Sequence, residues 1–185
     1  MNNIINLNNQ SCNLTSEDVI LLDTNVWIYL FYPLGSYGKS ISAKYSSFYK
    51  EILKLKCTII VPAIVVSEFF NTCIKFEFAI FKDSDPVKYQ NFKKDFRGTV
   101  EYVSVVQKLT ETIKSSVLKN SLLINDCFNE MKIESILSSD QEFDFNDKAL
   151  IEICKKYNAK ILTHDKDFKK YFSDFNLDIL TFSNS

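Results

Sequence analysis

The chain has 185 residues, is 46% hydrophobic and 14% aromatic, and carries a net charge of −1. That length fits one domain with a sizeable core, the charge excludes a global basic field for gathering nucleic acid, and the 3 Gly and 3 Pro argue against a loop-rich sandwich and for helices joined by compact turns. The five cysteines (Cys12, Cys57, Cys73, Cys127, Cys154) form no C-x2-C pair and there is one histidine, which argues against structural zinc and fits reduced thiols in a cytoplasmic protein, while no signal peptide or apolar run of ~18 residues is visible, so no membrane span is expected.

Met1 to Glu17 is Asn-rich with weak periodicity and reads as a loosely packed N-terminal tail, leaving residues 18–185 as the domain proper. Val19–Leu22 is a short buried strand. Val26–Tyr32 opens a helix, and Pro33–Lys39, with two of the three glycines, is a loop. Ile41–Leu55 is helical, with Tyr45, Phe48, Tyr49, Ile52 and Leu55 on one face. Cys57–Val61 is a β-branched strand, and Pro62 suits the first turn of a helix running from Ala63 to Phe81. Lys82–Pro86 is a break, and Val87–Arg97 spaces Tyr89, Phe92 and Phe96 for one helical face. Thr99–Val106 alternates and reads as a strand, followed by helices near Leu109–Lys119 and Leu122–Leu137. Ser138–Phe143 is an acidic loop. Then come a helix at Asn146–Tyr157, a strand at Lys160–Thr163, a short helix at Asp167–Phe172 and a strand at Leu177–Phe182. The alternation implies an α/β domain with a largely parallel sheet and right-handed crossovers, lengthened by an extended helical region at about 76–138, in which Phe76–Arg97 forms an arm or lid.

Acidic residues recur where these elements meet. Asp23 ends the run Val19-Ile20-Leu21-Leu22, Glu68 lies in the apolar helix after Pro62, Asp147 opens the helix after Asp144-Phe145-Asn146, and Asp165 follows Ile161-Leu162-Thr163-His164. Charges are costly on apolar elements, and in an open parallel sheet ligands bind beyond the carboxyl ends of the strands, where these four acids can face one pocket. Oxygen-only ligands favour hard cations, Mg2+ or Mn2+, and such a site can activate water against a phosphodiester.

Each acid has a plainer reading. Asp23 suits an N-cap before Thr24-Asn25-Val26, Asp147 a favourable charge in a first helical turn worth ~0.3–1 kcal/mol, and Asp165 a cap for the short helix. Asp144 is the better N-cap for its helix. Glu68 resists this treatment, because a carboxylate among Ile64, Val65, Phe69 and Phe70 needs a partner or a cleft. Thr24, Asn25, Thr163, His164 and Lys166 are candidate substrate contacts, with a structural role for His164 and a solvated one for Lys166 as the alternatives. The aromatics of the arm fit a core better than a base-stacking platform.

Four stretches, in order, resemble the PIN-domain ribonucleases: Leu21-Leu22-Asp23-Thr24-Asn25, Pro62 to Glu68, Asp144-Phe145-Asn146-Asp147-Lys148-Ala149-Leu150-Ile151, and Ile161-Leu162-Thr163-His164-Asp165-Lys166-Asp167-Phe168. The resemblance implies a five-stranded parallel sheet flanked by helices and a divalent-metal-dependent endonuclease acting on RNA. It carries metal-binding roles to Asp23, Glu68, Asp147 and Asp165, with Asp167 in an outer position. It also brings in expected partners, since many members are toxins of toxin–antitoxin pairs and form homodimers; the longer middle departs from the short toxins. Three alternatives stand beside it. A haloacid-dehalogenase-type phosphatase needs a second Asp where Asn25 stands, and a response-regulator receiver needs an early acidic pair that is missing here. The third is a catalytically silent PIN-fold scaffold that binds RNA or protein.

Overall fold

The computed structural model describes residues 3–32, 39–137, 144–170 and 177–183. Six strands, β1 (Asn3–Asn6), β2 (Val19–Leu22), β3 (Thr58–Pro62), β4 (Leu122–Ile124), β5 (Ala159–Leu162) and β6 (Asp178–Thr181), form one sheet in the order β1-β6-β5-β2-β3-β4. All five pairings are parallel. The inner strands β2, β3, β5 and β6 are almost wholly buried, which is why they read as continuous apolar runs and not as alternating ones. From β2 the chain winds one way through β3 to β4, then returns to the other side of β2 for β5 and β6. The reversal falls between β2 and β5, the place where a doubly wound sheet opens a crevice at its carboxyl edge.

The fold class agrees with the sequence reading, with six strands in place of five. The sixth comes from the Asn-rich segment read as a tail: Asn3–Asn6 pairs with β6 at the sheet edge. Ile4, Ile5 and Leu7 pack on the core, so two adjacent isoleucines outweigh the polar composition around them.

Seven α-helices, α1 (Thr24–Phe31), α2 (Lys39–Lys54), α3 (Ala63–Ser84), α4 (Val100–Thr112), α5 (Ile133–Ile136), α6 (Phe145–Tyr157) and α7 (Asp167–Lys170), are found among the described residues. In α1, Val26, Trp27, Ile28 and Tyr29 are all buried, as expected for a helix apolar on every side. In α2 the buried residues Tyr45, Phe48, Tyr49 and Ile52 lie on the face read from the sequence. Pro62 is the last residue of β3 and the N-cap of α3, with extended backbone, so the helix proper begins one residue later at Ala63. The loops read at Pro33–Lys39 and Ser138–Phe143 lie largely or wholly outside the described residues.

The middle of the chain differs from the sequence reading. Thr99–Val106 is not a strand: Thr99 caps α4, its Oγ1 accepting from Tyr102 N at 3.1 Å. Tyr102, Val105, Val106, Leu109 and Ile113 then meet the core at helical spacing. The third strand in sequence after the tail is β4, inside the stretch read as a helix at Leu122–Leu137. It pairs with β3 through Ile60, Val61 and Pro62, and the backbone hydrogen bonds offered by that open edge override the helix preference of leucine. Beyond it Cys127 turns left-handed, at φ 56°, and only short helical turns follow, at Phe128–Glu130 and α5. The arm aromatics pack on one another and on Tyr102, Phe81 tilted against Phe96 at 5.0 Å, Phe78 edge-on to Phe92 at 5.4 Å and Phe96 edge-on to Tyr102 at 5.4 Å, which makes them a satellite core.

Candidate metal centre and active site

Asp23 stands at the switch between β2 and β5. Its N–H donates to Leu162 O at 3.0 Å, and its carbonyl accepts from Val26 N at 3.0 Å and Trp27 N at 3.2 Å, so its backbone ends the strand and starts α1. It is an N-cap by position only, because the side chain makes no capping bond. Asp23 Oδ2 instead accepts from Thr163 Oγ1 at 2.6 Å and from Asn25 Nδ2 at 2.7 Å. The register that pairs Leu22 with Leu162 places Thr163 directly across from it.

Thr163 is fully buried and uses its hydroxyl twice, donating to Asp23 and accepting from Asp165 N at 3.0 Å. Asp165 Oδ1 accepts at 2.9 Å from the N–H of Asp167, the first residue of α7. Glu68, six residues into α3, accepts from Thr24 Oγ1 at 2.9 Å. Asp147 sits in the first turn of α6, whose N-cap is Asp144: Asp147 N donates to Asp144 Oδ1 at 2.9 Å.

The acids feel one another. Burial pushes the Asp23 carboxyl up from 3.8 to about 6; the Thr163 hydrogen bond works against this, and the charges of Glu68 and Asp165 add to it. Burial raises Asp147 to about 7, helped by the charges of Asp144, Asp23 and Asp165. Asp23 is thus coupled to each of the other three acids. Among the described residues the ion pairs join Lys160 to Asp18 and Asp178, Lys155 to Glu152 and Lys156 to Glu130, so none of those pairs neutralises the group.

Among the described residues no three His, Cys, Asp or Glu side chains are arranged to hold a metal ion as they stand. Asp23 and Glu68 turn to hydroxyl and amide donors. The donor set still fits Mg2+ or Mn2+: every candidate ligand is a carboxylate oxygen, and Mg2+ takes one or two carboxylates directly and reaches the rest through water.

The other singled-out residues divide. Asn25 bridges the site, donating to Asp23 and accepting from His164 N at 3.2 Å. The His164 ring is packed edge-on to Tyr29 and Tyr45, with Nδ1 3.1 Å from Tyr45 Oη, which is a structural setting. Lys166 and Asp167 are exposed. Tyr45 was visible in the sequence only as one of several aromatics on a helix face. Its hydroxyl donates to Thr163 O at 2.9 Å and accepts from Phe182 N at 3.3 Å, so it clamps the ends of β5 and β6 behind the site.

A model of the PIN domain matches residues 20–172. A chain of the VapBC2 structure from Rickettsia felis, bound to a DNA fragment from their promoter, has a similar fold: TM-score 0.53 at 15% identity, covering 88% of this chain and 98% of that one. No curated protein matches the sequence. The matched region runs from β2 to α7 and contains all four coupled carboxylates, and the chain belongs to the PIN-domain family of nucleases.

Proposed function

We propose that the chain is a divalent-metal-dependent endoribonuclease of the cytoplasm that hydrolyses RNA phosphodiester bonds. The observation that carries the reading is Asp23, buried at the sheet switch point and bonded to Thr163 and Asn25, with Asp165 held by the same Thr163 and Glu68 by the adjoining Thr24. Like charges gathered in a poorly solvated crevice are stabilised best by a shared cation. Asp23, Glu68, Asp147 and Asp165 would hold Mg2+ or Mn2+, with Asp167 outside them. When bound, the cation supplies water activation and neutralises charge on the phosphodiester. Thr163 and Asn25 hold the Asp23 carboxylate and Thr24 holds Glu68, so these neighbours would restrict how the two ligands turn. Of the residues read as substrate contacts, Asn25, His164 and Lys166 are at least partly accessible and are proposed for that role, whereas Thr24 and Thr163 are buried and act through the carboxylates they hold. The five free cysteines suit a reducing compartment.

The likeness to the VapBC2 chain supports a further reading as the toxin of a toxin–antitoxin pair, with an antitoxin protein as partner; the homodimer rests on the family resemblance alone. Growth arrest on expression, relieved by co-expressing the product of the adjacent gene, is the expected behaviour.

The direct test is cleavage of RNA with Mg2+ or Mn2+. Wild type should cut, and Asp23→Asn and Glu68→Gln should each lose at least about 100-fold, in line with the loss of one transition-state contact. Unchanged activity in both variants would remove the hypothesis. Tight RNA binding without cleavage by the intact chain would instead support the silent scaffold as the second reading.

A further inference from the structure

Far along α6 from Asp147 lies a second group of reactive side chains that the nuclease site does not use. Cys127 has left-handed backbone and heads the turn after β4. Its Sγ stands 3.1 Å from Lys156 Nζ, near the carboxyl end of α6. Lys156 Nζ in turn donates to Glu130 Oε1 at 2.6 Å, and Tyr157 Oη lies 3.6 Å from the sulfur. The sulfur also donates to Asn125 O at 3.1 Å. Cys127, Glu130, Met131, Glu152, Lys155 and Lys156 line a cavity of about 300 Å3, roomy enough for a small oxidant although the residue is largely buried.

The other cysteines are placed differently. Cys73 and Cys154 are sealed in the core, where burial pushes both thiols up, and the Cys57 sulfur donates to Thr15 O. Among the hydrogen bonds of the described residues, Cys127 is the cysteine that meets an ammonium.

We propose that Cys127 is a peroxide-oxidisable thiol whose oxidised form is captured by Lys156 as a sulfur–nitrogen cross-link between the β4–α5 turn and α6. In the first step the sulfur electron pair attacks one oxygen of hydrogen peroxide. The S–O bond forms, the O–O bond breaks, and the departing hydroxide leaves as water with the thiol proton. Sulfur is oxidised by two electrons and peroxide is reduced, which gives a sulfenic acid. In the second step Lys156 gives one ammonium proton to the Glu130 carboxylate, and its free amine attacks sulfur. The S–N bond forms, the S–O bond breaks, and hydroxide departs as water with a proton from nitrogen. No second oxidant is used. Glu130 and the sulfur both hold the lysine charged, so closure is the slower step and the sulfenic acid precedes it. A thiol reductant reverses the cross-link.

The test uses the full chain with graded hydrogen peroxide, peptide mapping without reduction, and a diketone trap for sulfenic acid. Wild type is expected to give a linked pair of peptides carrying Cys127 and Lys156, two hydrogens lighter than their sum and separated by dithiothreitol. Lys156→Arg keeps a cation beside the sulfur and cannot close the link; it should accumulate several-fold more trapped sulfenic acid at Cys127. Cys12, half-buried, is the internal reference thiol. Equal trapping in wild type and Lys156→Arg, linkage of Cys127 only to another cysteine, or oxidation of Cys12 ahead of Cys127 would each overturn the proposal. Because the readout is covalent mass, it is independent of nuclease activity.

Discussion

At the scale of single residues, the centre is held together by donors more than by charges of opposite sign. Thr163 Oγ1 supplies the shortest hydrogen bond to Asp23, 2.6 Å inside a buried pair. Thr163→Val keeps the shape and removes the donor. It should cost about 1.5–3 kcal/mol at neutral pH, read by urea unfolding, and should depress cleavage as well. The carboxyl of Asp23 also makes stability depend on pH. The unfolded chain releases this proton near 3.8, whereas the fold keeps it until about 6. Between those values the folded state binds more protons, so metal-free stability falls as pH rises. Asp147, raised to about 7, extends the fall toward neutrality. Ionising Asp23 in the fold costs roughly 3 kcal/mol. Asp23→Asn should therefore melt higher than wild type at pH 8 in chelator, with the gap closing near pH 4, while cleavage is lost. A variant that gains nothing at pH 8 would contradict the burial of an ionised Asp23.

At the scale of elements, the site depends on the ends of β2, β5 and β6 staying aligned. Tyr45, reaching in from α2, ties Thr163 O to Phe182 N. Tyr45→Phe preserves the ring contacts with Tyr29, Phe182 and His164 and removes these two bonds together with the contact to His164 Nδ1. It should destabilise by about 1–3 kcal/mol through the unpaired buried backbone, and it should lower turnover by loosening Thr163. A change in stability with turnover unaltered would mean that the clamp does not act on the site. Elements that carry the acids were legible because each begins or ends on a local signal: the apolar runs before Asp23 and Asp165, Pro62 ahead of α3, and Asp144 as the cap of α6. Illegible elements were those whose state is decided from afar. Thr99–Val106 alternates like a strand, and Thr99 fits either role until its hydroxyl is seen on Tyr102 N. Leu122-Leu123-Ile124 becomes a strand because β3 presents an edge, and Asn3–Asn6 because β6 does. Tyr45 could not be singled out from its helix face, since its partners lie 118 and 137 positions away.

At the scale of the whole molecule, the proposed site draws on β2, α3, α6 and β5, so on this reading metal binding and folding are one equilibrium. A cation that binds the folded carboxylates and not the unfolded chain raises stability by about 2.7 kcal/mol at a hundredfold excess over its dissociation constant. Calorimetry should show the melting temperature of wild type climbing with Mg2+ or Mn2+ at pH 8, and the climb should vanish in Asp23→Asn. A rise of equal size in both proteins would place the cation elsewhere. The same assembly sets a timetable during synthesis. Asp23 and Thr163 share a bond across 140 positions, and Asp165 follows two residues later. A growing chain that has reached only its first two acids has nothing opposite them on β5, so on the proposed reading the centre cannot assemble until Thr163 and Asp165 have been made.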